Sequence, residues 1–227
     1  MKLFSRRNAM ALLGCTVAGA AMIATSVSAT TDPDTKAPPK VGEQAMNFKL
    51  VDTEGKEHSL QFYLDRGDTV VLEWFNPDCP IVKKHHQHNK TMAETYDMFK
   101  DRKVTWLAIN SGAKGNQGTG VERNKKAIED YGIKYPVLLD ETGEVGKMYG
   151  AKTTPHMFII TPNKSAASEA SDTKATGTLA YIGAIDNDRS ASKVGDINYV
   201  KNALLSIERG ETIEVTSTKS YGCGVKY

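Results

Sequence analysis

Residues 69–75 form an apolar, β-branched run interrupted only by Glu73. Such a run predicts a strand buried on both faces. Residues 104–109, 136–139, 156–160 and 179–185 repeat the signal. Residues 41–60 alternate weakly around Gly55, which predicts a β-hairpin. Between these segments the apolar period lengthens. One helical stretch is expected from Pro80 to about Lys100, with Val82, Met92, Tyr96 and Phe99 among its apolar positions. Residues 121–132 predict a helix ending at Gly132, 144–150 a short helix and 197–207 a last one. Four glycines make 111–120 a loop, and residues 162–177, rich in Ser, Ala, Thr and Lys, a flexible hairpin insertion. Strands alternating with helices, then a hairpin and a helix, give an α/β domain over 41–210 with a central mixed sheet. Residues 30–40 hold three prolines among polar residues and read as a flexible tether. Residues 211–227 form a polar tail that is expected to move, and no internal repeat is visible.

The first 29 residues stand apart. Lys2, Arg6 and Arg7 precede an uncharged, Ala-rich run, and Val27-Ser28-Ala29 offers small residues for cleavage. This order predicts a secretory signal peptide over 1–29, with a twin-arginine flavour from Ser5-Arg6-Arg7. An uncleaved anchor and a lipoprotein at Cys15 are the alternatives. Cleavage would leave a mature protein outside the cytosol, periplasmic or secreted, with no membrane span. The whole chain has 227 residues and a net charge of +2. The leader holds three cations and no acid, so the remainder is close to neutral and offers no basic surface for nucleic acid. Cys79 and Cys223 are the only cysteines beyond the leader.

Cys79 follows the strand 69–75 across a short turn and precedes Pro80, which suits the first position of a helix. The positive end of that helix, with Lys83 and Lys84 close by, would favour thiolate over thiol. The polar Asp78-Cys79-Pro80 turn is expected to be exposed. An inert buried thiol or a locked disulfide is the alternative.

The chain resembles the thioredoxin superfamily, specifically its peroxiredoxin-like, redoxin-type (AhpC/TSA) branch. The resemblance rests on four segments in order. They are Gly42 to Leu50, Trp74 followed by Cys79-Pro80, Thr154-Pro155 before the strand 156–160, and Tyr181 to Asp186. It implies a thioredoxin-like α/β fold with helices flanking the mixed sheet. It also implies that Pro155 is cis and faces Cys79, and that Thr154 pairs with substrate backbone. Thr154, Pro155 and Trp74 are thus the expected substrate-binding residues. The departures are informative. Val82 stands where a thioredoxin has its second cysteine, and Ile81 and Lys84 break the peroxiredoxin spacing counted from Pro77. Copper-delivering relatives carry two cysteines on this loop, and here there is one.

The expectation is an exported thiol-disulfide oxidoreductase in which Cys79 is the nucleophile. Cys223, flanked by Gly222 and Gly224, is its expected resolving partner. A permanent Cys79–Cys223 staple and two independent thiols remain alternatives. Substrates would be protein or small-molecule disulfides and thiols, with an external reductant and no cofactor. A thiol peroxidase using Cys79 and a copper-handling module are the competing readings. His85 is a candidate proton carrier six residues after Cys79. His85, His86 and His88 are otherwise expected on a solvated helix face, with no stable metal site. Glu73, buried beside Trp74, would have a raised pKa and could accept the thiol proton. Strand alternation puts Glu73 and Trp74 on opposite faces, so one of them must point away from Cys79. The glycine loop 111–120 lacks a Gly-Lys-Ser/Thr ending, so it is read as a rim and not as a phosphate cradle.

Overall fold

The computed structural model describes residues 37–163 and 174–227. The expected leader and most of the tether lie outside the described residues. Eight strands form one sheet: β1 (Gln44–Met46), β2 (Lys49–Asp52), β3 (Glu57–Ser59), β4 (Thr69–Trp74), β5 (Val104–Asn110), β6 (Val137–Leu139), β8 (Met157–Pro162) and β9 (Lys174–Gly183). Their order is β1-β9-β8-β4-β5-β6-β2-β3. The central trio β4, β5 and β6 is parallel, and the strands flanking it on either side are antiparallel. The sheet is therefore mixed, as expected. All six residues of β4 are buried, because helices and strand connections cover both of its faces.

The hairpin expected over 41–60 is the β2–β3 pair around Gly55, whereas β1 leaves it and pairs with β9. The strands β8 and β9 are longer than their apolar cores, reaching Pro162 and starting again at Lys174. Pro162 and Lys174–Gly177 of the expected insertion are thus strand, and residues 164–173 lie outside the described residues.

Among the described residues six helices accompany the sheet: α1 (Leu60–Asp65), α2 (Pro80–Lys83), α3 (Thr91–Phe99), α4 (Val121–Tyr131), α5 (Glu144–Tyr149) and α6 (Tyr199–Arg209). The single helix expected from Pro80 to Lys100 is in fact two. After α2 the chain widens into a π-helical turn over Lys84–His88, and Lys90 then adopts a left-handed conformation. That conformation cannot continue a right-handed helix, so α3 restarts at Thr91. α4 ends, as expected, on a left-handed Gly132.

Two apolar clusters pack on opposite faces of the sheet. Val71, Phe75, Cys79, Val82 and Trp106 belong to one, and Leu72, Trp74, Tyr149 and Phe158 to the other. A short second sheet joins β7 (Thr153–Thr154) to β10 (Cys223–Gly224). The tail is therefore part of the fold. Among the described residues no helix is long and apolar enough to cross a membrane.

Candidate active site

β4 delivers the turn that carries Cys79, and the parallel neighbour extends its hold one residue further through Phe75 N–H to the Ile109 carbonyl at 2.8 Å. The turn itself is fixed from three sides. Asn76 accepts from the Asp78 amide at 2.8 Å and donates to the Gln117 carbonyl at 3.0 Å. The Tyr131 hydroxyl donates to the Pro77 carbonyl at 2.5 Å. Arg123 grips the Asp78 carboxylate through Nη2 at 2.6 Å and Nε at 3.1 Å. Cys79 caps α2 with extended backbone, and Pro80 occupies the first turn. Pro80 needs no hydrogen-bond acceptor there, which is why the sequence can turn so sharply at this point.

Cys79 is only 2% exposed, so the exposed turn expected from its polar neighbours is not what forms. Its thiol donates to the Thr154 carbonyl at 3.0 Å. The Thr154–Pro155 bond is cis, as the resemblance implied. The remaining cover is the C-terminal tail, which is docked where the sequence suggested a mobile segment. Ile182 donates to Thr216 at 3.1 Å and accepts from the Thr218 amide at 3.0 Å. Cys223 then pairs with Thr154 and Gly224 with Thr153. Val225 donates to Lys152 at 3.2 Å, Lys226 accepts from the Ala113 amide at 2.7 Å, and the Tyr227 hydroxyl donates to Ala151 at 2.8 Å. Main-chain bonds do this work, so a polar sequence can dock without an apolar signature. At Gly222 (φ +130) a Cβ would collide with the Thr154 carbonyl, so only glycine lets the strands approach.

Docking brings the two cysteines together. Both are free thiols, and Cys223 packs against the apolar cluster that contains Cys79. Burial first, and the adjacent Cys79 second, push the Cys223 thiol up to about 12.

The three histidines separate. His88 is exposed, whereas His85 and His86 are buried, so the solvated face expected for all three does not exist. His86 joins a polar knot under the sheet, where its Nε2 lies 2.6 Å from Glu73 Oε1. Trp106 and Tyr135 donate to Glu73 Oε2 at 3.1 and 2.9 Å. Burial alone would raise the Glu73 carboxyl, but His86 and these donors more than offset it and hold it below the usual range. The expected raised pKa is thus reversed, and among the described residues none of the Glu73 hydrogen bonds goes to Cys79. Trp74 lies on the other face, fully buried, with its Nε1–H on Ser111 Oγ at 3.0 Å. It does not reach the cysteines, so its expected substrate contact is not available.

His85 belongs to a second knot, at the tail. Its Nε2 is 3.0 Å from the Tyr221 hydroxyl, which also receives Lys84 Nζ at 3.3 Å and donates to Asp186 Oδ1. Lys84 Nζ donates to the Asp188 carbonyl at 2.7 Å. Burial first and Lys84 second bring His85 down to about 4, so its ring is neutral near pH 7. Lys84, Asp186, Tyr221, Arg123 and Asp78 were not singled out as site residues from sequence. The available signal was proximity alone: Lys84 and Asp78 beside the Cys79 turn, and Tyr221 two residues before Cys223. Among the described residues no group of three or more His, Cys, Asp or Glu side chains is arranged to hold a metal ion.

The AhpC/TSA family matches residues 41–167. The thiol-disulfide oxidoreductase ResA of Geobacillus thermodenitrificans is 32% identical over 123 residues, which is 54% of this chain and 64% of that protein. Two solved structures are similar over most of their length. An uncharacterized conserved protein from Geobacillus kaustophilus has a TM-score of 0.67 at 25% identity, covering 83% of this chain and 92% of its own. A hypothetical protein from Sinorhizobium meliloti has a TM-score of 0.69 at 22% identity, covering 84% and 96%. The fold is thioredoxin-like, and the chain belongs to the AhpC/TSA family.

Proposed function

We propose that the protein is an exported thiol-disulfide oxidoreductase in which Cys79 is the nucleophile and Cys223 the resolving thiol. The single observation that carries this reading is the β7–β10 pairing, which sets Cys223 against Thr154, the residue whose carbonyl accepts from the Cys79 thiol. In the reductive direction the Cys79 thiolate attacks a substrate disulfide, forming a mixed disulfide and expelling one substrate thiolate. Cys223 then attacks the Cys79 sulfur, closing the Cys79–Cys223 bond and expelling the second. The two cysteine protons end on the leaving thiols, the substrate gains two electrons and the pair loses them. An external thiol reductant returns the pair to its starting state.

The raised Cys223 pKa fits this order. Part of the rise comes from Cys79 itself, through charge and hydrogen bonding. A Cys79 sulfur held in a mixed disulfide carries no charge, so that part vanishes when Cys223 is needed as a nucleophile. His85 is then too weak a base, at about 4, to serve as the proton carrier at neutral pH. The Thr154 backbone, a candidate for pairing with substrate, is taken by Cys223 in the docked state. A protein substrate would therefore have to displace β10, whereas a small disulfide needs less opening. Export rests on the 1–29 leader, with cleavage near Thr30 and a periplasmic destination.

The test is turnover of an insulin or small-molecule disulfide by the mature chain against consumption of hydrogen peroxide. Disulfide reduction lost in Cys79→Ser supports the reading. Peroxide consumption without disulfide exchange would replace it by a thiol peroxidase.

A further inference from the structure

Tyr221 is a residue of the tail that the exchange chemistry does not touch, yet it is the tail's one buried large side chain, 5% exposed. Its hydroxyl meets three groups from two other segments. A phenol has one proton to give and two lone pairs to fill. Here the proton goes to Asp186 Oδ1, and the lone pairs receive Lys84 Nζ at 3.3 Å and His85 Nε2 at 3.0 Å. The hydroxyl is saturated. The count also sets the histidine tautomer: Nε2 must carry the proton, which leaves Nδ1 bare. His85 Nδ1 is indeed buried without a hydrogen-bond partner. The ring contributes as well, with Lys84 Nζ 5.1 Å from its centroid. Lys84 and His85 lie on the turn that continues the Cys79 helix, and Asp186 follows β9. Tyr221 thus ties the tail to both walls of the site, two residues before Cys223.

We propose that Tyr221 is a positioning residue, a latch whose hydroxyl holds the tail so that Cys223 is presented to Cys79. The latch rests on the reading of Cys79 and Cys223 as an exchanging pair. It sets the effective concentration of Cys223 at the nucleophile, which an untethered tail of the same sequence would not reach. It takes no part in bond making. Oxidation joins the two sulfurs and passes two electrons and two protons to glutathione disulfide, which becomes two glutathione molecules.

The experiment equilibrates the mature full-length chain with glutathione buffers of graded poise. Acid-quenched alkylation and mass spectrometry then count free Cys79 and Cys223. The variant is Tyr221→Phe, which keeps the ring over Lys84 and removes only the hydroxyl. The equilibrium constant for the Cys79–Cys223 disulfide should fall about tenfold or more, because hydrogen bonds to charged partners are lost. Tyr96→Phe removes a phenol of α3 that bonds the Lys134 carbonyl away from the tail, and should change the constant less than threefold. Lys84→Gln provides a second lesion of the same knot should Tyr221→Phe fold poorly, and a similar fall is expected. An unchanged constant in well-folded Tyr221→Phe or Lys84→Gln, even with a lowered melting temperature, would make the knot merely structural and overturn the latch. A wild-type chain that forms no intramolecular disulfide at any poise would instead remove the exchanging pair itself.

Discussion

The two cysteines meet, but they are held in opposite ways. Cys79 sits in the apolar cluster of one sheet face, on a turn clamped by Asn76, Arg123 and Tyr131. Moving it would require the ends of β4 and α4 to move. Cys223 sits on a two-residue strand in a tail whose residues from 211 to 220 are exposed or half-buried. Its hold is a row of single main-chain bonds, side-chain bonds from Thr218 and Tyr227, and the Tyr221 knot. Local opening draws on segments with few buried apolar contacts, so the second arrangement can release while the first stays intact. The difference suits the roles proposed for them: a nucleophile fixed by the core and a resolving thiol that yields to substrate.

The largest effect should come from the fixed partner. Cys79→Ser should lower disulfide exchange by about a thousandfold or more, to background, since no other thiol occupies the turn. Retained turnover would show that the docked site is not where exchange occurs. Cys223→Ser breaks the comparison from the other side. Cys79 should still react, but mixed disulfides should accumulate, and free thiol at about millimolar levels, comparable to a tethered group, should restore turnover.

Acid should destabilise the fold, in part through the Tyr221 knot. The His85 and His156 pKa values both lie at about 4 in the fold, below the ordinary 6.5. Burial causes most of each shift, with Lys84 and Lys152 adding to it. Between pH 6.5 and 4 the unfolded chain binds protons that the folded chain refuses. Stability is therefore full above pH 6.5 and falls as the pH drops toward 4, by up to about 3 kcal/mol for each histidine. Chemical denaturation at pH 7 and pH 4.5 measures the sum. His156→Gln should remove its share and leave the tail-linked share of His85. Equal slopes in wild type and variant would contradict this division.

Gly222→Ala is aimed at the tail alone. The added Cβ and the positive φ should cost about 1–3 kcal/mol of docking. Cys79 should then alkylate roughly tenfold faster or more while thermal unfolding of the core changes little. A drop in core stability with no change in alkylation would mean that the tail is as fixed as the turn.

The central strands could be read from their apolar runs, and the cysteine turn could be read from Pro80 after a buried strand. What could not be read has physical reasons. The break at Lys90 has no proline or glycine to announce it, and a single left-handed lysine makes it. His85 and His86 are neighbours in sequence, but consecutive residues of a helical turn point to different sides, so each enters a different knot. The polar pattern of His, Lys and Gln looks solvated because its acidic partners, Glu73 directly and Asp186 through the Tyr221 hydroxyl, come from other segments. The tail docks through backbone and through the hydroxyls of Thr218, Tyr221 and Tyr227, none of which makes an apolar pattern. Glycine at 222 was visible, but in a polar tail it signals freedom to move, whereas here it makes room for a close approach. The resemblance made Trp74 a substrate-binding residue, and of Glu73 and Trp74, which alternation puts on opposite faces, it is Trp74 that points away from Cys79.

The most direct test of the account is non-reducing peptide mapping of the mature chain after mild oxidation. A disulfide joining the Cys79 peptide to the Cys223 peptide, present in monomer and lost on adding reductant, is the predicted result. Two alkylatable thiols in folded protein under every oxidising condition that attacks Cys79 would contradict it.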